Sequence, residues 1–158
     1  ASRLVTYVIE APAGSGTTLE AARQEGRRFV GVDKSPFSHQ TVRKRLMSAQ
    51  MLFDAPSSEG APEADCSLLT GVGFYELTLD RFQLEDGIAA RKFSGLDGVD
   101  NWGAGYLRGG AFHLMAREER TQRSPALTGR LSLPVFEGAP AVRVGDVLGR
   151  AFYYLLKD

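Results

Sequence analysis

The stretch that decides the fold is residues 4–33, LVTYVIEAPAGSGTTLEAARQEGRRFVGVD. It opens with an apolar, β-branched run over residues 4–9, which is typical of a buried parallel strand. A loop of small residues and a short helical segment follow, and Gly26 favours the end of that helix. Residues 28–33 have the composition of a second short strand. The order of these segments predicts a parallel β-α-β unit.

The loop and the end of the second strand carry the residue types that a nucleoside site needs. Gly14 and Gly16 allow the backbone to approach a ligand closely and to present amide groups at a helix N-terminus. Asp33 ends the second strand, and parallel units bind their ligands at the carboxyl ends of the strands. A carboxylate there can accept hydrogen bonds from both hydroxyls of a ribose. The sequence therefore predicts a nucleoside-binding crevice, with a purely structural tight turn as the alternative.

These residues resemble the adenosylmethionine-binding region of the amino-methylating DNA methyltransferases, which modify adenine N6 or cytosine N4. The likeness is carried by AGSGTT at residues 13–18 and by RRFVGVD at residues 27–33. The family has Ala or Cys followed by Gly-Ser-Gly-Thr-Thr, and later Arg-Arg-Phe-Ile-Gly-Ile-Asp. The resemblance implies S-adenosyl-L-methionine as the cofactor. It also implies DNA as the partner of the complete enzyme.

Matched by position, the resemblance implies a cofactor-binding role for seven residues. Glu10 would lie near the methionine end of the cofactor, and Asp33 would hold the ribose. The loop under the cofactor and the start of the next helix would be formed by Ala13, Gly14, Gly16, Thr17 and Thr18.

The chain departs from the family pattern in two places. The usual Asp-Pro-Phe is replaced by Glu10-Ala11-Pro12, so its aromatic ring is missing. The catalytic motif, a polar residue followed by Pro-Pro and an aromatic residue, does not occur in the sequence. Residues 54–57, DAPS, lack both the second proline and the ring that stacks on a flipped base. We therefore expect the chain to be the C-terminal portion of such an enzyme and to be inactive alone. The catalytic motif would lie on a missing half or on a second polypeptide.

The composition and periodicity of the sequence change after the first fifty residues. A polar segment rich in Pro, Gly and Ser predicts a linker over residues 54–70. From residue 71 onward, apolar and polar residues alternate with a period of two, which predicts antiparallel strands. The expected fold class is α/β, with a partial Rossmann-like parallel unit over residues 1–53. An antiparallel, β-rich and sandwich-like domain is expected over residues 71–158.

Composition limits the classes of partner and compartment. The 19 basic and 19 acidic side chains give a net charge of zero, which argues against a general electrostatic grip on nucleic acid or an anionic membrane. No apolar run approaches the length of about 20 residues that crosses a bilayer. The single cysteine, Cys66, permits no internal disulfide and fits the cytoplasm. Neither Cys66 nor the two histidines have neighbours at ligand spacing, so no metal site is predicted.

Two functions from other classes remain open at the level of the sequence. The loop over residues 10–18 approximates a phosphate loop in which Thr17 stands where lysine is required, so a degenerate nucleotide binder is one alternative. A non-catalytic binding or assembly protein that retains a nucleoside-type fold is the other. Residues 43–45, RKR, form either a solvated helix face or a phosphate contact.

Overall fold

The computed structural model of the chain describes residues 7–46, 52–54, 61–84, 87 and 92–156. Within that part the chain forms two helices and ten strands, and no described helix has the length and apolarity to cross a membrane. In chain order the elements are β1 (Tyr7–Glu10), α1 (Thr17–Gln24), β2 (Arg28–Gly31), α2 (Pro36–Leu46), β3 (Leu52–Asp54), β4 (Ala64–Thr70), β5 (Phe74–Phe82), β6 (Val99–Arg108), β7 (Ala111–Glu119), β8 (Arg130–Pro134), β9 (Ala139–Asp146) and β10 (Ala151–Leu155).

The chain divides into two compact units, which we call the parallel unit and the antiparallel unit. The parallel unit comprises Ala1–Ser48 with Leu148–Arg150, and the antiparallel unit comprises Ala49–Val147 with Ala151–Asp158. The fold is thus mixed α/β, and its sheets are mostly antiparallel.

The parallel unit is built on the β-α-β segment that the sequence predicts. β1 and β2 pair in parallel from Tyr7 opposite Arg28 to Glu10 opposite Gly31. α1 packs closely on β2, because a Cβ atom placed on Gly31 would lie only 2.4 Å from Leu19 Cδ1. α2 begins at Pro36 after Ser35, whose hydroxyl accepts the amide hydrogen of Ser38, so the predicted cap is present.

The expected Rossmann-like sheet is not present beyond these two strands. β1 and β2 form a two-stranded sheet with no third parallel neighbour among the described residues. The next strand after α2 is β3, and it pairs with β7 in an antiparallel sheet, with Leu52 opposite His113. The chain therefore leaves the parallel arrangement at the step where a doubly wound fold would add its third strand.

The antiparallel unit consists of two sheets that share one core. One sheet has the strand order β10-β9-β6-β7-β3, and the other has the order β4-β5-β8. Their facing side chains form a single buried cluster of Leu77, Leu79, Phe82, Leu84, Val99, Trp102, Ala104, Tyr106, Leu133, Val142 and Val144. This arrangement agrees with the expected antiparallel, sandwich-like region.

The expected domain limits differ from those of the structure at two strands. β3 lies at residues 52–54, within the range assigned to the first domain, but its partner is β7, so it belongs to the antiparallel unit. β4 occupies residues 64–70 of the expected linker, where it pairs along its length with β5. The alternating side chains of β4 bury Cys66 and Leu68 against the core, and this burial explains why the segment is ordered.

Candidate nucleoside-binding site

Asp33 lies directly beyond β2 and links the two halves of the predicted motif. Its Oδ2 atom accepts the backbone amide hydrogen of Gly14 at 2.9 Å, and its Oδ1 atom accepts that of Ser35 at 2.9 Å. The carboxylate therefore fixes the loop that follows β1 against the segment that follows β2. Two residues nineteen positions apart in the sequence are thereby joined.

The same two hydrogen bonds set the charge of this carboxylate. The amide hydrogens of Ser35 and Gly14 stabilise the ionised form, and they lower the pKa of Asp33 below its ordinary value. The group is consequently an anion at neutral pH. Each oxygen has spare lone-pair capacity after accepting one amide, so the carboxylate can still accept hydroxyl donors.

The two glycines of the loop have different surroundings. Both have positive φ angles, 52° at Gly14 and 75° at Gly16. A Cβ atom on Gly14 would have nothing within 4 Å, so the backbone is open there to an approaching ligand. A Cβ atom on Gly16 would lie 2.8 Å from Val42 Cγ2, and Gly16 is buried. Gly14 therefore suits a binding role, whereas Gly16 is needed for packing of the loop on α2.

Glu10 ends β1, and Ala13 lies in the loop that follows it. The Glu10 carbonyl accepts the amide hydrogen of Val32, and Val32 in turn accepts the amide hydrogen of Ala13, so the loop continues the parallel pairing. The Oε2 atom of Glu10 is buried and has no hydrogen-bond partner among the described residues. A buried carboxylate oxygen is normally satisfied by a donor. This atom is thus suited to accept a hydrogen bond from a ligand ammonium group.

Thr17 and Thr18 begin α1 and are exposed, but the Thr17 hydroxyl is already engaged. Arg45 of α2 donates to Thr17 Oγ1 at 2.8 Å, and its guanidinium lies 3.6 Å from the Glu20 carboxylate. The contact between Arg45 and Thr17 was not apparent from the sequence, since 28 positions separate the two residues. Thr17 therefore helps to hold α2 in place. Arg45 lies beside the position of the missing phosphate-loop lysine, but Glu20 partly neutralises it.

A small cavity adjoins Asp33 inside the parallel unit. It has a volume of about 120 Å³ and is lined by Ala13, Leu19, Gly31, Asp33, His39, Val42 and Arg43. Sites that enclose a whole small molecule span roughly 300–1,000 Å³, so this cavity can accept only part of a ligand. His39, which the sequence did not single out for the site, donates from Nε2 to the Asp33 carbonyl. Its spacing of six from Asp33 gives no recognisable motif.

Other chemistry-bearing groups in the described residues do not form a second site. No cluster of three or more His, Cys, Asp or Glu side chains suitable for a metal occurs there. Burial raises the pKa of Cys66 to about 12, so this thiol is protonated and unreactive at neutral pH. A larger depression of about 410 Å³ lies on the three-stranded sheet of the antiparallel unit, bounded by Leu69, residues 76–78 and residues 130–132. Its only charged lining groups are Glu76 and Arg130.

Comparisons with protein-family models, with curated proteins and with solved structures found no match to this chain.

The residues present fit one portion of adenosylmethionine. Asp33 offers an ionised acceptor for ribose hydroxyls, Gly14 leaves open space above the loop, and Glu10 offers an unpartnered buried oxygen for the methionine ammonium. The cavity beside Asp33, at about 120 Å³, is smaller than the whole cofactor.

Proposed function

We propose that the parallel unit is a partial Rossmann-like unit that binds S-adenosyl-L-methionine, as the cofactor-binding portion of a site-specific DNA methyltransferase. The complete enzyme would transfer a methyl group to an exocyclic amino group of a base. The observation that carries the proposal is the hydrogen bond from the Gly14 amide to Asp33, which joins loop and acid at the carboxyl ends of both strands. The resemblance of residues 13–18 and 27–33 to that family supplies the identity of the ligand.

Each residue of the site has a distinct part in holding the cofactor. Asp33 accepts the ribose hydroxyls, and its amide donors keep it ionised and oriented. Glu10 accepts from the ammonium group, while the backbone around Gly14 forms the floor of the site. The cofactor supplies an electrophilic methyl group when bound. These residues position it, and orientation of that kind accounts for a large share of the rate enhancement in transfer reactions.

The sequence lacks the segment that orients the target amino nitrogen in the family it resembles. In this family a polar residue, two prolines and an aromatic ring hold the flipped base, and that segment is absent from the sequence. The net charge of zero also gives weak general affinity for DNA. We therefore expect no transfer of labelled methyl groups to unmodified duplex DNA by this chain alone. Labelled bases formed by the chain alone would show that the chemistry lies within these 158 residues.

The test of the binding step is calorimetric titration of the full chain with adenosylmethionine and, separately, with ATP. We expect binding of the first and not of the second. Binding of ATP alone would instead favour the degenerate phosphate loop, and binding of neither ligand would favour an assembly protein.

Variants at Asp33 and Glu10 assign the binding to this site. Asp33→Ala removes the ribose acceptor and should weaken binding by about tenfold to a hundredfold, as for other hydrogen bonds to charged groups. Glu10→Gln keeps the shape but removes the charge, and it should weaken binding less. Asp80→Ala changes an exposed acid of β5 in the antiparallel unit and is the matched control. An affinity unchanged by Asp33→Ala overturns the assignment.

A further inference from the structure

The zero net charge of the chain conceals an uneven distribution between its two units. The parallel unit carries nine Lys and Arg side chains but only four Asp and Glu side chains. The antiparallel unit carries ten basic and fifteen acidic side chains. The formal charge is therefore +5 on the first unit and −5 on the second. Such an asymmetry is typical of a chain whose basic part has an anionic partner.

Positive charge is concentrated on α2 and on the residue before its cap. No Asp or Glu occurs between Asp33 and Asp54, whereas Lys34 precedes the helix and residues 43–45 place three cations in its last turn. Cations in the last turn interact favourably with the helix dipole, so part of this pattern serves the helix itself. Lys34 lies at the opposite end, where a cation gains nothing from the dipole. The dipole therefore does not account for the whole pattern.

A row of side chains follows the outer face of α2. Phe37, Thr41 and Lys44 share this face, because positions i, i+4 and i+7 lie above one another on a helix. Val42 lies on the other face, where it packs against the loop after β1. Thr41 is exposed, and Phe37 is 56% exposed. We call the surface formed by Lys34, Phe37, Thr41 and Lys44 the outer stripe.

An exposed aromatic ring among cations matches the chemistry of a nucleic acid with unpaired bases. Phosphates attract the ammonium groups of Lys34 and Lys44, and an unpaired base can stack on the ring of Phe37. Residues 37 and 44 lie about 10 Å apart along the helix axis, which is the rise of about three stacked nucleotides. The outer stripe is thus long enough for a short stretch of one strand.

Two other anionic partners match the outer stripe less well. A helix that lies on a membrane surface needs a continuous apolar face, and Phe37 is the only apolar side chain of the outer stripe. An acidic polypeptide pairs with lysines through its carboxylates, which leaves the Phe37 ring without a stacking partner. Only a nucleic acid uses both the cations and the ring.

We propose that the outer stripe of α2 binds single-stranded nucleic acid, with its lysines on phosphates and Phe37 stacked on a base. The outer stripe lies on the solvent side of α2 and not in the crevice, so the inference goes beyond the proposed function and does not depend on the cofactor. The acidic antiparallel unit opposes the approach of a polyanion. We therefore expect a Kd of about 1–100 μM at low salt.

The test is a titration of the full 158-residue chain into a labelled oligothymidylate of about twelve nucleotides, followed by fluorescence anisotropy. The affinity should fall about tenfold to a hundredfold as salt rises from about 50 to about 200 mM. Lys34→Gln and Lys44→Gln should each weaken binding about fivefold and make its salt dependence shallower, whereas Lys44→Arg should retain it. Lys92→Gln removes an exposed lysine of the antiparallel unit and is the matched control, with an expected change below about twofold.

The contribution of the ring is tested separately. Phe37→Ala should weaken binding to the single strand by about tenfold, and Phe37→Leu, which keeps an apolar side chain without a ring, by nearly as much. Phe136→Ala changes a phenylalanine of the antiparallel unit that is 54% exposed, and it should have no effect. Binding to a duplex of the same length should not respond to Phe37→Ala, because paired bases cannot stack on the ring. Circular dichroism checks that each variant is folded.

The proposal is overturned if the single strand does not bind at about 50 mM salt. It is also overturned if Phe37→Ala and Lys44→Gln weaken binding no more than Phe136→Ala and Lys92→Gln do. Tighter binding to anionic phospholipid vesicles or to polyglutamate than to the oligonucleotide would overturn it as well, since the partner would then be a membrane or an acidic polypeptide.

Discussion

The two units of this chain differ in how far the apolar residues of their strands are buried. In the antiparallel unit, two sheets face each other, and Val142 and Val144 of β9 are fully buried between them. In the parallel unit, Val30 and Val32 have similar side chains but remain more than half exposed. An antiparallel sheet needs only one covered face, whereas a parallel sheet needs two. The comparison shows that the described strands of the antiparallel unit enclose a core, whereas those of the parallel unit expose apolar side chains on one face.

The largest expected effect lies in the core of the antiparallel unit. Trp102 is 1% exposed, and its indole nitrogen donates to Glu118 at 2.9 Å. Trp102→Ala should lower the free energy of unfolding by about 3–5 kcal/mol, because it leaves a large cavity. Chemical denaturation followed by circular dichroism measures this loss. A loss below about 1 kcal/mol would contradict the picture of a closed core in this unit.

The fold could be predicted from sequence where local rules and tertiary packing agree. β5 occupies residues 74–82, as its period-two alternation predicts, and the hairpin between β6 and β7 turns at Gly109 and Gly110. Both glycines have positive φ, which suits a two-residue hairpin.

Local rules fail at β6 and β4. β6 contains Gly103 and Gly105, which argue against a strand in isolation. Both are required by packing, since a Cβ on Gly105 would clash with the His113 carbonyl and one on Gly103 with Leu114. The outer face of β4 carries Asp65 and Ser67 beside the exposed Leu69, and Pro and Gly residues precede the strand. The segment therefore has the composition of a linker.

The candidate site was predictable in part. The loop and Asp33 follow from the residue types and their order. The contacts of Arg45 with Thr17 and of Val42 with Gly16 depend on the tertiary packing of α2 against the loop. No local sequence pattern specifies that packing. The exposure of Ile9 in β1 was also not predictable, because the apolar run of β1 suggests a buried strand.

The second prediction contrasts the two loop glycines. Gly16→Ala combines a strained positive φ with a clash against Val42, and we expect a loss of about 2–3 kcal/mol in the parallel unit. Gly14→Ala introduces only the strain of the positive φ, so the free energy of unfolding should fall by about 1–2 kcal/mol. Hydrogen exchange at α1 and β2 measures both. The fluorescence of Trp102 should remain native in each variant and serves as the control. If both variants lose the same free energy of unfolding, the contact with Val42 does not add to the cost of a side chain at Gly16.

The third prediction concerns Glu118, which accepts hydrogen bonds from the amides of Thr128 and Gly129 as well as from Trp102. Partial burial raises the pKa of Glu118, but these donors lower it by more, so the folded-state pKa lies below its ordinary value. Its stabilising contribution is therefore present above the unfolded-state pKa and is lost as the pH falls through the folded-state pKa.

Glu118→Gln should consequently cost about 1–2 kcal/mol at pH 7, a modest value because the group is partly exposed to solvent. The difference from the unaltered chain should begin to shrink below the usual glutamate pKa of about 4.3 and disappear once the pH falls below the folded-state pKa. Denaturation at several pH values checks this trend. Glu76→Gln, at an exposed position of β5, is the matched control and should change the free energy of unfolding at pH 7 by no more than about 0.5 kcal/mol. A deficit that persists unchanged in acid would show that packing, not charge, is responsible.

The smallest expected effect tests the comparison between the units most directly, because the same chemical change is made in both. Val30→Thr replaces an exposed methyl group with a hydroxyl that water can solvate, and threonine keeps the β-branched shape that strands favour. We expect a change within about 0.5 kcal/mol. Val144→Thr places the same hydroxyl in the closed core, where Val144 is 0% exposed, and should cost about 1–3 kcal/mol. If Val30→Thr costs as much as Val144→Thr, the Val30 side chain is buried in the folded chain, and the difference between the two units does not hold.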